Sequence, residues 1–276
     1  PLPPKMRRRF KPEIPLTGLD SPRRSTLKGK FVSKDILTQQ DGAILRVTIN
    51  RPDSGNGMSN EMAVELANIF ENAPPESQFI VLRGAGKDFC LGRAGMGQQP
   101  ASQPEALELR RANEPVFQCY GSFRKSPIPI IGVVQGRAIG FGCALAALCD
   151  ITIAADTAKF QFPEMGHNIM PTMAMSALVD RVPRKALLYL IYSAAVVDAQ
   201  RALSFGIVSD VVPESQLDAA VDTLCATMSK APAAATPAVK EYVRNALGMD
   251  VSSAVDLARN LHSVINSSSE MLRKRH

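Results

Sequence analysis

Ile130-Ile131-Gly132-Val133-Val134-Gln135-Gly136-Arg137-Ala138-Ile139-Gly140-Phe141-Gly142-Cys143-Ala144-Leu145-Ala146-Ala147-Leu148-Cys149-Asp150 reads as a buried strand, a glycine-rich turn and a small-residue helix. The first five residues are a short apolar run dominated by β-branched side chains, and residues 144–148 are strong helix formers. Gly136, Gly140 and Gly142 permit a positive φ or a close approach between the two elements. A helix that starts directly after such a turn presents unpaired N–H groups, and its aligned peptide dipoles favour negative charge there. This stretch is therefore expected to build an anion or oxyanion site.

About eight residues further on the chain runs Ala158-Lys159-Phe160-Gln161-Phe162-Pro163-Glu164-Met165-Gly166-His167-Asn168-Ile169-Met170-Pro171-Thr172. One carboxylate, Glu164, stands among Phe162, Pro163, Met165 and Met170. Apolar surroundings disfavour its ionised form, raise its pKa and suit it to proton transfer near neutral pH. Glu164 is the expected acid/base.

Upstream, residues 36–49 pattern as a hairpin with Asp41-Gly42 as its turn. Ser59 can cap a helix in which Met62, Leu66, Ile69 and Phe70 recur at helical spacing, and Pro74-Pro75 ends it. A strand at 79–82 then breaks into glycines at Gly84, echoing residues 130–142. The echo suggests stacked strand-strand-helix units in a spiral. Residues 98–104 read as a loop. Residues 105–123 have helical spacing through Leu107, Leu109, Val116 and Phe117, with Pro115 expected to interrupt a straight helix. Downstream, 174–182, 185–193 and 199–205 read as helices, with a break at Pro183 and a turn at Gly206. Residues 214–248 and 250–272 are helical again apart from 231–237.

The chain's 276 residues suffice for one large domain or two small ones. Its apolar runs are broken by Pro129, Gly132, Gln135 and Arg137 before they could span a bilayer. Five scattered cysteines form neither a metal-ligand pattern nor a complete disulfide framework, which points to a reducing compartment. Cytoplasm is the expected location, with the mitochondrion as the alternative. The formal net charge is +6, but residues 1–34 carry ten Lys or Arg against Glu13 and Asp20, a local balance of +8 that leaves the remainder at −2. The basic character thus belongs to an arm, which argues against nucleic-acid binding by the folded body. That arm has six prolines and few large apolar residues, so it is expected to be a solvated extension. Anchoring of Arg7-Arg8-Arg9 to an acidic surface is the alternative, and Met6 is the expected native start.

Across roughly residues 47–213 the chain resembles the enoyl-CoA hydratase/isomerase, or crotonase, superfamily. Asn50-Arg51-Pro52 with Asn56 looks like the family's first active-site loop. Gly84-Ala85-Gly86-Lys87-Asp88-Phe89-Cys90-Leu91-Gly92-Arg93-Ala94 looks like its first oxyanion and adenine-binding loop. Residues 135–150 look like the second oxyanion loop and helix, 158–171 like the acid loop, and 202–213 like a downstream helix and loop. The resemblance implies an α/β spiral of repeated β-β-α units over 35–212, after the arm at 1–34. It also implies a C-terminal helical region, 213–276, that builds a trimer or hexamer.

By the same resemblance the substrate is an acyl-CoA thioester, coenzyme A being part of the substrate, with no metal and no bound cofactor. The oxyanion donors would be the backbone N–H groups of Arg93 and Phe141. Ala94, Gly95 and Met96 would line the adenine end, Met96 standing where a lysine is often found. Asn56, Gly140, Gly142 and Pro163 complete the expected substrate contacts. Hydratases of the family carry a second glutamate where this chain has Ala144, although some members have another residue there. One carboxylate suffices to move a proton between two carbons, so isomerisation or an unusual hydration is implied. Glu114 and His167 are the candidate auxiliary groups. The opposing reading is a weakly catalytic acyl-CoA-binding or RNA-associated homologue.

Overall fold

The structure, a computed structural model, describes residues 34–95 and 105–273. The expected arm up to residue 33, the loop at 98–104 and Met96 lie outside the described residues. β1 (Ile36–Asp41) and β2 (Ile44–Ile49) form the expected hairpin, with Asp41 opposite Ile44 and Gly42 at a φ of +56°. In α1 (Asn60–Glu71) the Ser59 side chain accepts the Met62 N–H at 3.2 Å, and Met62, Leu66 and Phe70 are buried. β3 (Phe79–Gly84) and α2 (Ala106–Lys125) follow. Next come β4 (Ile130–Val134), β5 (Arg137–Ile139), α3 (Phe141–Leu148), β6 (Ile151–Ala155) and β7 (Lys159–Gln161). The chain continues through α4 (Thr172–Leu178), α5 (Arg184–Ser193), β8 (Val197–Asp198), α6 (Ala199–Ser204) and β9 (Asp210–Val212). It closes with α7 (Leu217–Met228), α8 (Ala235–Ala246), α9 (Val251–Asn266) and α10 (Ser269–Arg273).

Six strands form one sheet in the order β1-β2-β3-β4-β6-β9, parallel except for the hairpin, and β5-β7-β8 form a second. β4 passes through Gly136 into β5, and β6 turns into β7. After β3, Cys90 makes a parallel bridge to Ala138 of β5. Successive turns therefore each send one segment to the first sheet and one to the second, which is the spiral expected from the sequence. The fully buried strand β4 and the wholly buried helix α3 lie at its centre. Such two-sided burial is why these stretches read as continuous apolar runs rather than alternating ones.

Three expectations need correction. β5 and β7, three residues each, escaped a reading by periodicity because they are shorter than the pattern needed to reveal them. α2 runs unbroken through Pro115. The proline removes a bond to the carbonyl of Arg111, which is exposed to water, and the neighbouring Ala112 carbonyl accepts from Asn60 Nδ2 at 3.2 Å. The buried side of α2 is Val116, Cys119, Tyr120 and Phe123, whereas Leu107, Leu109 and Phe117 are exposed. At the C-terminal end, a break after Asn266 separates α9 from α10.

α8 is tied to the spiral by Lys240, whose Nζ donates to Asp150 Oδ2 at 2.7 Å and to the Ile128 carbonyl at 3.0 Å. Among the described residues no helix is long and apolar enough to cross a membrane.

Candidate functional site

The loop after β3 is held against β5 by a clip. Asp88 accepts from Arg137 Nε at 2.9 Å, Nη2 at 2.8 Å and the backbone N–H at 3.1 Å, while the Phe89 N–H donates to the Arg137 carbonyl. The contact is close enough that a Cβ on Gly136 would stand 2.0 Å from the Lys87 carbonyl oxygen, and one on Gly142 would stand 2.1 Å from that of Cys90. Arg137 holds Asp88 below the usual carboxylate range through these bonds.

Asn56 secures the other side of this loop. It is fully buried at a φ of +55°, a conformation asparagine tolerates better than most residues. Its Oδ1 accepts the Arg51 N–H at 2.9 Å, and its Nδ2 donates to the carbonyls of Ala85 and Asp88, both at 2.8 Å. These bonds are all internal to the loops. Asn56 is thus a loop staple rather than a substrate contact, because its polar atoms are spent on the backbone. Gly142 is likewise a packing residue, seated on Cys90.

The clipped loop ends at Arg93. Met58 donates to the Gly92 carbonyl and accepts from the Ala94 N–H, both at 2.9 Å, in a parallel bridge that leaves the Arg93 N–H out of the pairing. Phe141 is the first residue of α3, where helical N–H groups lack intrahelical acceptors. Neither the Arg93 nor the Phe141 N–H donates to a described residue. Both residues line one cavity of about 400 Å³, together with Gly140, Pro163, Glu164 and His167.

Glu164 opens a short 3-10 turn, Glu164–His167, which Asn168 closes in the left-handed conformation. Only 8% of Glu164 is exposed, and its buried Oε2 has no partner among the described residues. Burial pushes its pKa up, opposed by a backbone hydrogen bond and by the charge of His167. Gly140, which precedes α3, has φ +52° and ψ −113°, and a Cβ there would meet Glu164 Oε1 at 3.0 Å. The turn and the acid are thus fitted to each other. The walls are apolar, supplied by Leu91, Val116, Ile139 and Met173 among others.

Tyr120, which the sequence reading missed, also lines this cavity, its ring centroid 5.1 Å from that of Phe141. It is 4% exposed, and burial raises the pKa of its phenol. The spacing of Val116, Cys119, Tyr120 and Phe123 along a helix was the signal that could have found it. His167 joins Glu164 at the cavity, although it is otherwise exposed. Glu114 does not: it is exposed on α2 and lies outside the lining. Ala94 and Gly95 are exposed and also outside the lining, and Met96 is not among the described residues. Ala144 is wholly buried within α3. The five cysteines are free and buried, and burial raises each thiol pKa, so they are packing residues.

A buried carboxyl group in an apolar cavity that is also lined by two residues whose N–H groups have no acceptor among the described residues is an arrangement that can hold an anionic oxygen and move a proton. On this α/β spiral, that constellation defines the crotonase class. The family model for enoyl-CoA hydratase/isomerase matches residues 39–274, and the chain belongs to that family, whose members act on coenzyme A thioesters. It is 31% identical over 232 residues to a protein of Mycobacterium bovis described as an enoyl-CoA hydratase, covering 82% of this chain and 87% of that one. It is 26% identical over 234 residues to the 2,3-dehydroadipyl-CoA hydratase of Escherichia coli, covering 84% and 90%. Among solved structures, one described as an enoyl-CoA hydratase from Thermobifida fusca YX in complex with CoA superimposes with a TM-score of 0.77. That pair is 30% identical, and the match covers 84% of this chain and 92% of the other.

Proposed function

We propose that the protein transfers a proton at the carbon next to an acyl-CoA carbonyl, with Glu164 as its single acid/base and the Arg93 and Phe141 amides as oxyanion donors. One observation carries the reading: Glu164, whose buried Oε2 has no partner among the described residues, shares a cavity with two residues whose N–H groups have no described acceptor. The thioester oxygen accepts from both amides. Ionised Glu164 removes a proton from Cα, the electron pair passes into the carbonyl, and the enolate oxygen takes the charge. Preset donors stabilise that oxygen without reorganising, an effect worth about 3–4 kcal/mol per donor in the best-measured case. Glu164 then returns the proton to Cγ, and a 3-enoyl thioester becomes a 2-enoyl thioester of the same mass.

Isomerisation is the reaction one carboxylate supports best, since it needs a single group to carry one proton between two carbons. Hydration is the second reading, favoured by His167 at the same cavity and by the hydratase names of the relatives. In that case Glu164 takes a proton from the water adding at Cβ and delivers it to Cα. Mass spectrometry of products from 2-enoyl-CoA and 3-enoyl-CoA esters, for wild type and Glu164→Gln, tests both. A double-bond shift at constant mass, lost in the variant, is expected. Gain of one water makes the protein a hydratase, and turnover that survives in Glu164→Gln overturns the assignment of the acid.

The same reading takes residues 1–34 as an arm, 35–212 as the spiral and 213–276 as an oligomerisation region, in a cytoplasmic trimer or hexamer. Val239, Val243, Leu247, Val251 and Val264 on α8, α9 and their connection are exposed, which supports burial against a second copy. Light scattering of the full chain should give a trimer or a multiple of it, and a stable monomer would overturn this part.

A further inference from the structure

Arg93 lines the cavity and also carries a charged side chain. Its guanidinium donates to Asn60 Oδ1 at 2.9 Å and to Asn113 Oδ1 at 3.3 Å. Two neutral amides thus hold a cation that no carboxylate among the described residues neutralises. Asn60 is itself pinned to the Ala112 carbonyl in the turn before Pro115, so α1 and α2 together fix where the charge sits. A guanidinium has five N–H donors, and these two bonds leave three for a ligand. Tyr120 lines the same cavity, and its hydroxyl makes no hydrogen bond to a described residue. Arg93, Tyr120 and Glu164 all line this one cavity.

A part-buried cation with spare donors, and a hydroxyl that makes no bond to a described residue, suit an anion better than an alkyl chain. We propose that Arg93 and Tyr120 bind a carboxylate at the far end of the acyl chain, so that the preferred substrates are CoA thioesters of short dicarboxylic acids. Arginine suits this role because its planar fork meets both carboxylate oxygens at once, and Tyr120 adds a neutral donor. The phosphates of coenzyme A are a poorer match, since the whole pantetheine arm separates them from the thioester while Arg93 lines the cavity that holds Glu164. The inference rests on the acyl-CoA reading above.

Isothermal titration of the full chain with glutaryl-CoA, valeryl-CoA and CoA separates the possibilities. The two esters are saturated, have equal carbon counts and differ at the chain end. Wild type should bind glutaryl-CoA about ten- to a hundredfold more tightly than valeryl-CoA, the range of a hydrogen bond to a charged group. Arg93→Met should bring that ratio close to one, and Tyr120→Phe should lower it by a smaller factor. The ratio is the readout because any general disturbance of the pocket acts on both esters alike. Equal affinities in wild type overturn the proposal while leaving the acyl-CoA reading intact. An equal loss for CoA and both esters in Arg93→Met assigns the side chain to a phosphate and also overturns it. Binding of neither ester overturns the acyl-CoA reading together with this inference.

Discussion

Gly140 and Glu164 are built around each other: a methyl group on Gly140 would stand 3.0 Å from Glu164 Oε1, at a backbone position with φ +52° and ψ −113°. Alanine there meets two penalties, backbone strain of about 1–3 kcal/mol and displacement of the acid. Gly140→Ala should therefore lose thermal stability and at least tenfold in kcat/KM, a rough lower bound for misplacing an acid/base. Unchanged kinetics in a folded variant would show that the acid is not held by this contact.

Glu164→Gln should lower turnover by about 10²- to 10⁴-fold while leaving ester binding in place. Proton abstraction requires the ionised form, so kcat/KM of wild type should climb with pH along a limb displaced above the usual carboxylate range. The stability effect has the opposite sign. A carboxyl whose folded pKa is raised holds its proton more tightly in the native state, so stability is greatest below the unfolded pKa and declines as pH rises through the folded one. Thermal melts should show Glu164→Gln gaining on wild type at pH 8 relative to pH 4, and a gain confined to pH 4 would contradict the assigned burial.

The Asp88–Arg137 clip works in the other direction. Its folded pKa is depressed, so the stabilisation is present above the unfolded value and fades as pH falls through the lowered one. Asp88→Asn should cost about 1–2 kcal/mol at pH 7, discounted because Arg137 is half exposed, and the gap from wild type should narrow under acid. Because the same loop carries Arg93, kcat should fall as well. Denaturant titration at both pH values checks the first expectation, and steady-state kinetics the second.

Asn56→Ala removes three hydrogen bonds to the backbone, one buried and two part-buried, and the loss should be about 2–4 kcal/mol of stability. A residue that instead contacted substrate would raise KM and leave the melting temperature alone. Measuring both in one preparation separates a staple from a ligand contact.

What the sequence alone determined is what neighbouring residues encode. The Asp41-Gly42 turn, the Ser59 cap, the apolar run of β4, the glycine breaks before α3 and the apolar setting of Glu164 each depend on a few adjacent side chains and their φ preferences. The family resemblance that these motifs carry implied the fold class, and the apolar neighbours of Glu164 marked it as the candidate acid. Tertiary structure decided which groups meet. Arg93, Tyr120, Phe141 and Glu164 come from four separate elements, and they share a cavity only because the spiral stacks its turns. It also decided that Asn56 is bonded to Ala85 and Asp88, that α2 passes through Pro115 and that Glu114 is exposed outside the cavity lining. These outcomes turn on hydrogen bonds and packing between segments tens of residues apart, and no local periodicity carries that information.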